Sequence, residues 1–150
     1  KRDARLARSL SVTALSASMM PAAEKPEWIP VVGDVAAGAP ILAQEDIVDQ
    51  IPLSKDWLGI GKDYFFLRVK GDSMAEAIQP GELVLVERAQ TATRGEIVVA
   101  LLEEEATCKR YFPDKNCVRL RSDNPRYDDI VVANEFKLLG KVKALVRKYQ

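Results

Sequence analysis

From Trp28 onward the chain is built of short runs of β-branched, aromatic and leucine residues, and turn signals close them about every 8–12 residues. No stretch has the apolar spacing of a long amphipathic helix. Residues 64–70 read as a strand ended by Gly71, Pro80-Gly81 as a turn, and residues 82–88 as the next strand. Residues 97–102 and 106–112 form a hairpin about the acidic turn Glu103-Glu104-Glu105. Residues 117–121 follow a turn at Pro113-Asp114-Lys115-Asn116, and residues 138–146 make the closing strand. This spacing predicts a mostly β domain, a folded-over sheet or partial barrel.

At 150 residues, 47% hydrophobic and 29% charged, the chain has the size of one domain with an appendage, and it needs neither disulfides nor metal to hold a core. The 22 basic and 22 acidic residues cancel, so no global pull toward nucleic acid or membrane is expected. The sequence contains no histidine, which removes every Ser-His and Cys-His catalytic arrangement and every histidine-containing zinc site. Hydrolytic chemistry here has to take its base from Lys, Asp, Glu or Tyr. No metal or cofactor is implied. Cys108 and Cys117 match no thiol-exchange or metal motif and read as reduced thiols of a cytoplasmic protein, placed where they could approach each other across a hairpin.

Residues 1–27 differ from the rest. Lys1, Arg2, Arg5 and Arg8 make a basic start, and residues 9–23 carry no charge. That layout has the outline of a signal peptide, but Ser9, Ser11, Thr13, Ser16 and Ser18 interrupt it, and it is too short and polar to span a bilayer. A flexible Ser/Ala linker ended by Pro21 and Pro26 accounts for it better. The chain opens on Lys1 and not on Met, which points to a processed product or a piece of a longer chain.

Three elements carry candidate chemistry. In Gly71-Asp72-Ser73-Met74 a serine follows a strand behind a glycine, whose conformational freedom permits a sharp turn. Such a turn aims the Ser73 hydroxyl outward and leaves the Asp72 and Ser73 amides free to act as an oxyanion hole. The same pattern is, taken alone, an ordinary turn with a capping hydroxyl. In Ala106-Thr107-Cys108-Lys109-Arg110-Tyr111-Phe112, alternation puts Thr107, Lys109 and Tyr111 on one face. A lysine at its ordinary pKa is neutral in only about one molecule in 2,500 at pH 7, but desolvation by up to about 3–5 units would make Lys109 a competent base. Strand lysines more often snorkel to water. The third element, residues 31–40, is a small, apolar loop in which Ala37-Gly38 offers a nucleophile an unobstructed carbonyl.

Taken in order, Val35-Ala36-Ala37-Gly38, Gly71-Asp72-Ser73-Met74 and Ala106-Thr107-Cys108-Lys109-Arg110 resemble the LexA family of self-cleaving repressors. The resemblance runs from about Ile29 to Val146 and includes Pro40-Ile41-Leu42-Ala43, Phe66-Leu67-Arg68-Val69, Gly81-Glu82-Leu83-Val84-Leu85-Val86 and Gly95-Glu96-Ile97-Val98-Val99-Ala100. It implies the folded-over sheet that this family shares with signal peptidases. It also implies a Ser-Lys dyad: Ser73 as nucleophile, Lys109 as general base and then acid, main-chain amides at Asp72 and Ser73 as oxyanion hole, and Ala37-Gly38 as the bond cut. Residues 1–10 resemble the exit of a winged helix-turn-helix domain, so residues 1–27 are expected to be its tail plus linker, and residues 28–150 the peptidase and dimerisation domain. The implied biology is cytoplasmic repression of the SOS DNA-damage response, with operator DNA bound through the missing N-terminal domain and cleavage stimulated by RecA filaments on single-stranded DNA.

A cleavable polymerase accessory protein of the UmuD type and a temperate-phage repressor carry the same peptidase, and a non-catalytic dimerisation domain is a further alternative. A type I signal peptidase would need a membrane anchor, and nothing here spans a membrane. The homodimer is carried by the resemblance, since the closing strand alternates well enough to pair with a partner or with a neighbouring strand. Lys137, Lys141, Lys143, Arg147 and Lys148 read as a solvated edge that discourages aggregation.

Overall fold

The computed structural model describes residues 25–33, 35, 46–133 and 136–149. Among the described residues nine strands make one sheet: β1 (Glu27–Val32), β2 (Ile47–Leu53), β3 (Tyr64–Arg68), β4 (Leu83–Arg88), β5 (Ile97–Leu102), β6 (Glu105–Pro113), β7 (Cys117–Arg121), β8 (Ile130–Ala133) and β9 (Lys137–Val146). Their order in the sheet is β2-β1-β3-β4-β9-β5-β6-β7-β8. Only β1 and β3 run parallel, through Val31 opposite Phe66 and Val32 opposite Leu67. A 3-10 turn, Lys55–Trp57, follows β2 and is capped by the Ser54 hydroxyl, which accepts from the Asp56 amide.

The mostly β architecture is the expected one, and the sheet is folded over on itself. The largest core cluster holds Val32 of β1, Phe65 and Leu67 of β3, Val84 and Val86 of β4, Leu139 of β9, Val99 of β5 and Cys108 of β6. β3 and β6 are separated in the sheet by β4, β9 and β5, so their side chains share one core only because the sheet bends back. The ladders shift register between Leu85 and Val86 of β4 and between Val99 and Ala100 of β5. Bulges of this kind sharpen the local twist. The outer faces are closed by two further clusters, one about Ile29, Phe66 and Leu85 and one about Val98, Val118 and Leu120.

Three strands escape the sequence patterns. β1 carries Pro30, tolerated because β3 pairs only with Val31 and Val32 and leaves that side of Pro30 open. β2 has Asp49, Gln50 and Pro52, a composition suited to the sheet edge it forms. β8, at the other edge, is four residues long. The stretch 31–40 is thus not a single loop, since Val31 and Val32 belong to β1. The two cysteines do not face each other across the β6–β7 hairpin. Pro113 stands opposite Val118 and Arg110 opposite Arg121, so Cys108 and Cys117 lie about 20 Å apart along the ladder, both free.

The closing strand finds its partners within the chain, β4 on one side and β5 on the other. Two of the terminal basic residues are ion-paired: Lys141 with Glu87 and Glu96, each at 3.9 Å, and Arg147 with Glu82. Among the described residues no helix is long and apolar enough to cross a membrane.

Candidate active site

The serine loop is made by the way β3 ends. Gly71 adopts φ 73°, the left-handed conformation expected of it, and the chain then runs through a series of tight turns before β4. Two main-chain bonds close the base of this loop: Val69 N–H to the Glu82 carbonyl and Gly81 N–H to the Val69 carbonyl, both at 2.8 Å. Met74 and Ile78 are 1% and 3% exposed and plug the loop into the folded-over core, which holds Ser73 at the rim. No described residue accepts from the Asp72 or Ser73 amide.

Lys109 comes from the opposite side of the fold. It stands opposite Val98 on β5, with Thr107 opposite Ala100, so both point to the same face, as alternation requires. Lys109 is 5% exposed, and its Nζ donates to Ser73 Oγ at 2.8 Å, to Thr107 Oγ1 at 2.9 Å and to the Cys108 carbonyl at 3.2 Å. The structure therefore brings Ser73 and Lys109 together although they are 36 residues apart in sequence. Among the described residues no carboxylate forms an ion pair with this amine. Burial accordingly dominates and pushes its pKa below the ordinary value of 10.5. The neighbouring Cys108 thiol is itself pushed up to about 11 by burial, so it is uncharged near neutrality and offers the amine no counter-charge there.

A cleft of about 770 Å³ opens beside Ser73 and Thr107, the hydroxyls that Lys109 holds. Ser73 lines it, with Gly33 and Val35 at one side and Ala106 and Thr107 at another. Val35 is 9% exposed and belongs to the main core. Ala37 and Gly38 lie outside the described residues.

The patterns along the chain missed what steadies the serine loop. The segment between β7 and β8 reaches it through four bonds. Asn124 donates its main-chain N–H to the Ser73 carbonyl and its side-chain amide to the Asp72 carbonyl, both at 3.0 Å. The Asp123 N–H faces Met74 Sδ at 3.4 Å, and the Tyr127 hydroxyl donates to the Asp72 carboxylate. Thr107 was placed on the right face but given no part. A polar, turn-rich stretch such as Ser122-Asp123-Asn124-Pro125 offers no signal of where it docks.

The Peptidase S24-like family profile matches residues 30–143. The chain is 49% identical over 121 residues to the LexA repressor of Desulforamulus reducens, covering 80% of this chain and 56% of that protein. It is 48% identical over 151 residues to the LexA repressor of Pelotomaculum thermopropionicum, covering 99% and 71%. To the LexA repressor of Clostridium kluyveri it is 40% identical over 153 residues, covering 100% and 72%. The chain thus spans between 56% and 72% of the length of these relatives. It belongs to the LexA repressor family, and residues 30–143 are its Peptidase S24-like domain.

Proposed function

We propose that this chain is the self-cleaving part of a repressor of the SOS DNA-damage response and that it cuts its own Ala37-Gly38 bond with a Ser73–Lys109 dyad. The observation that carries this reading is the 2.8 Å contact between the Ser73 hydroxyl and a buried amine that no described carboxylate neutralises. A neutral amine has two N–H groups and one lone pair. The Cys108 carbonyl can only accept, and Thr107 Oγ1 is placed to accept as well, so they take the two N–H groups and leave the lone pair facing Ser73.

Lys109 then removes the Ser73 proton while Oγ bonds to the Ala37 carbonyl carbon. The negative oxygen is received by the Asp72 and Ser73 amides. The protonated Lys109 returns its proton to the Gly38 nitrogen, the C–N bond breaks, and an Ala37–Ser73 ester remains. Water, deprotonated by the same amine, adds to the ester carbonyl carbon, and the amine returns that proton to Ser73 Oγ as the C–O bond breaks, which frees the Ala37 carboxylate and restores the dyad. Gly33 and Val35 on the cleft wall support delivery of the Ala37 carbonyl from within the same chain.

Residues 1–27 are the tail of a DNA-binding domain and linker, and operator DNA is bound through that domain. Residues 28–150 also dimerise. β5 pairs with β9 only as far as Lys141, which leaves residues 142–146 without a strand on that side among the described residues, a free edge for a second copy. Pairing two repressors suits a palindromic operator. RecA filaments on single-stranded DNA act in the cytoplasm by favouring the conformer in which the Ala37-Gly38 loop is docked.

Incubation of the purified chain at pH 9–10, followed by mass measurement, tests the reading. Two fragments divided between Ala37 and Gly38 are expected, and none from Ser73→Ala or Lys109→Ala. An intact wild-type mass, or cleavage that persists in Ser73→Ala, rejects the dyad.

A further inference from the structure

The serine loop has no strand ladder of its own beyond Arg68, and the strand that carries Lys109 is separated from β3 by three others in the sheet. Something outside the sheet has to fix one against the other. The residues 122–127 do so. Arg110, next to Lys109, donates to both Asp123 carboxylate oxygens, at 3.1 and 3.3 Å, and to the Gly95 carbonyl at 3.0 Å. Asn124 follows Asp123 and holds the Asp72 and Ser73 carbonyls. The covalent and hydrogen-bonded path Lys109–Arg110–Asp123–Asn124–Ser73 closes on itself through the 2.8 Å contact of amine and hydroxyl.

We infer that Asn124 is a positioning residue of the cleavage reaction, one that aims the Ser73 main-chain N–H at the developing oxyanion. This rests on Ser73 being the nucleophile. In a trans peptide the carbonyl of one residue and the N–H of the next lie in one plane and point in opposite directions within it. The Asp72 carbonyl and the Ser73 N–H share such a plane, so anchoring the carbonyl on the Asn124 side-chain amide turns the N–H the other way. The Asp72 carbonyl also accepts from the Ala75 N–H at 2.9 Å, which leaves the plane little freedom. Asn124 is itself held: its Oδ1 accepts from the Arg126 N–H at 3.0 Å, and its carbonyl accepts from the Tyr127 N–H at 3.1 Å. An asparagine is required for both halves of this arrangement, an acceptor toward Arg126 and a donor toward Asp72.

Asn124→Ala and Asn124→Asp, made in the full chain, test the inference through the pH dependence of self-cleavage. Asn124→Asp keeps the shape and the bond from Arg126 but sets a carboxylate oxygen against the Asp72 carbonyl. Deleting one oxyanion donor elsewhere costs about 100- to 1,000-fold, and a donor that is misaimed and not deleted should cost about 10- to 100-fold. The expected result is a rate plateau lower by that factor in both variants, with the pH midpoint of the neutral variant Asn124→Ala where the wild type has it, because Lys109 is untouched; the new carboxylate of Asn124→Asp raises its midpoint by charge alone. A plateau within about twofold of wild type overturns the inference, as does a midpoint of Asn124→Ala that moves with the plateau, since Asn124 would then act on the amine. Should Asn124→Ala fail to fold, the plateau of Asn124→Asp alone decides. Ser73→Ala runs alongside: its silence keeps the dyad reading standing whatever Asn124 does, and its cleavage removes that reading first.

Discussion

Thr107 and Lys109 stand two residues apart on one face of β6, and the amine of one donates to the hydroxyl of the other at 2.9 Å. The contact matters because an amine that has lost its positive charge can rotate freely about its last bond, and only its remaining partners decide where the lone pair points. Thr107 supplies one of those partners and the Cys108 carbonyl the other. Replacing Thr107 with Val keeps the shape of the side chain and removes the acceptor. Self-cleavage is expected to slow about 10- to 100-fold, the range that misalignment of a reacting group produces, while Thr107→Ser stays near wild type. Densitometry of intact chain against time at pH 9–10 measures it. A Thr107→Val rate equal to wild type would mean that the lone pair is aimed by something else.

The lowered pKa of Lys109 sets the direction of the pH dependence. Only the neutral amine is a base, so the cleavage rate should rise with pH and level off at a midpoint below 10.5. Lys109→Arg should be silent throughout, because guanidinium keeps its proton. Stability follows the same sign. Between the lowered value and the ordinary one, the unfolded chain binds one proton more than the folded chain, so unfolding becomes harder as pH rises through that window. Lys109→Met should abolish the slope that this one group contributes. A cleavage profile that is flat, or whose midpoint sits at or above the ordinary lysine value, contradicts burial as the cause.

How much of this was legible in the sequence depends on the range over which each residue acts. Residues 97–102 and 117–121 form strands with the bounds that their β-branched runs suggest, and Gly71 takes the left-handed turn that places Ser73. These are local decisions, made by neighbours in the chain. The approach of Ser73 to Lys109 is not local. The ordered motifs imply it only through resemblance, and it is realised because the sheet, whose ladders shift register at Leu85/Val86 and Val99/Ala100, doubles back on itself. Pro30 and Pro52 hid β1 and β2, whose tolerance for proline depends on which strand edges stay open. Asn124 was silent for a similar reason, since its partners are 52 residues away.

The two thiols should differ sharply toward an alkylating reagent. Cys108 is buried, and its pKa is pushed up to about 11, so little thiolate exists at pH 8 and the reagent has poor access. Cys117 is partly exposed near the β6–β7 turn. Mass analysis of the folded chain should show one label acquired quickly, on Cys117, and the second only after denaturation. Equal labelling rates would show that Cys108 is not enclosed as described.

Acid should destabilise the fold through Glu87. This residue is 4% exposed and accepts from the Tyr64 hydroxyl at 3.0 Å and from Lys62 at 3.2 Å. Burial alone would raise its pKa, but these hydrogen bonds and the nearby positive charge of Lys62 outweigh it and hold the carboxyl below the ordinary 4.5. A carboxylate depressed in the folded state contributes stability above its unfolded pKa and loses it as pH falls through the folded value. Melting temperature should therefore hold down to about pH 5 and drop below the ordinary carboxylate range. Glu87→Gln should flatten part of that drop, at a cost near neutrality of about 1–3 kcal/mol for the weakened buried bonds. An unchanged acid limb in Glu87→Gln assigns the loss to other carboxylates.

At Gly140 β9 leaves no room for a side chain against β4. A Cβ at this position would lie 2.4 Å from the Glu87 carbonyl oxygen and 2.6 Å from Val86 Cγ1. The obstacle is main chain, in the part of the β4–β9 ladder where Gly140 stands opposite Arg88, and it cannot swing aside as a flexible side chain would. Gly140 also stands opposite Val99 of β5, so movement of β9 away from β4 would disturb a second ladder and the core cluster containing Leu139. Gly140→Ala is therefore expected to destabilise the fold by about 2–3 kcal/mol, the upper part of the usual overpacking range. Urea unfolding should show the midpoint lowered with little change in slope, because the same surface is exposed. A midpoint equal to that of wild type would mean that β9 can shift outward at no cost, and the doubled-back sheet would then be far more pliable at its centre than two tightly paired ladders allow.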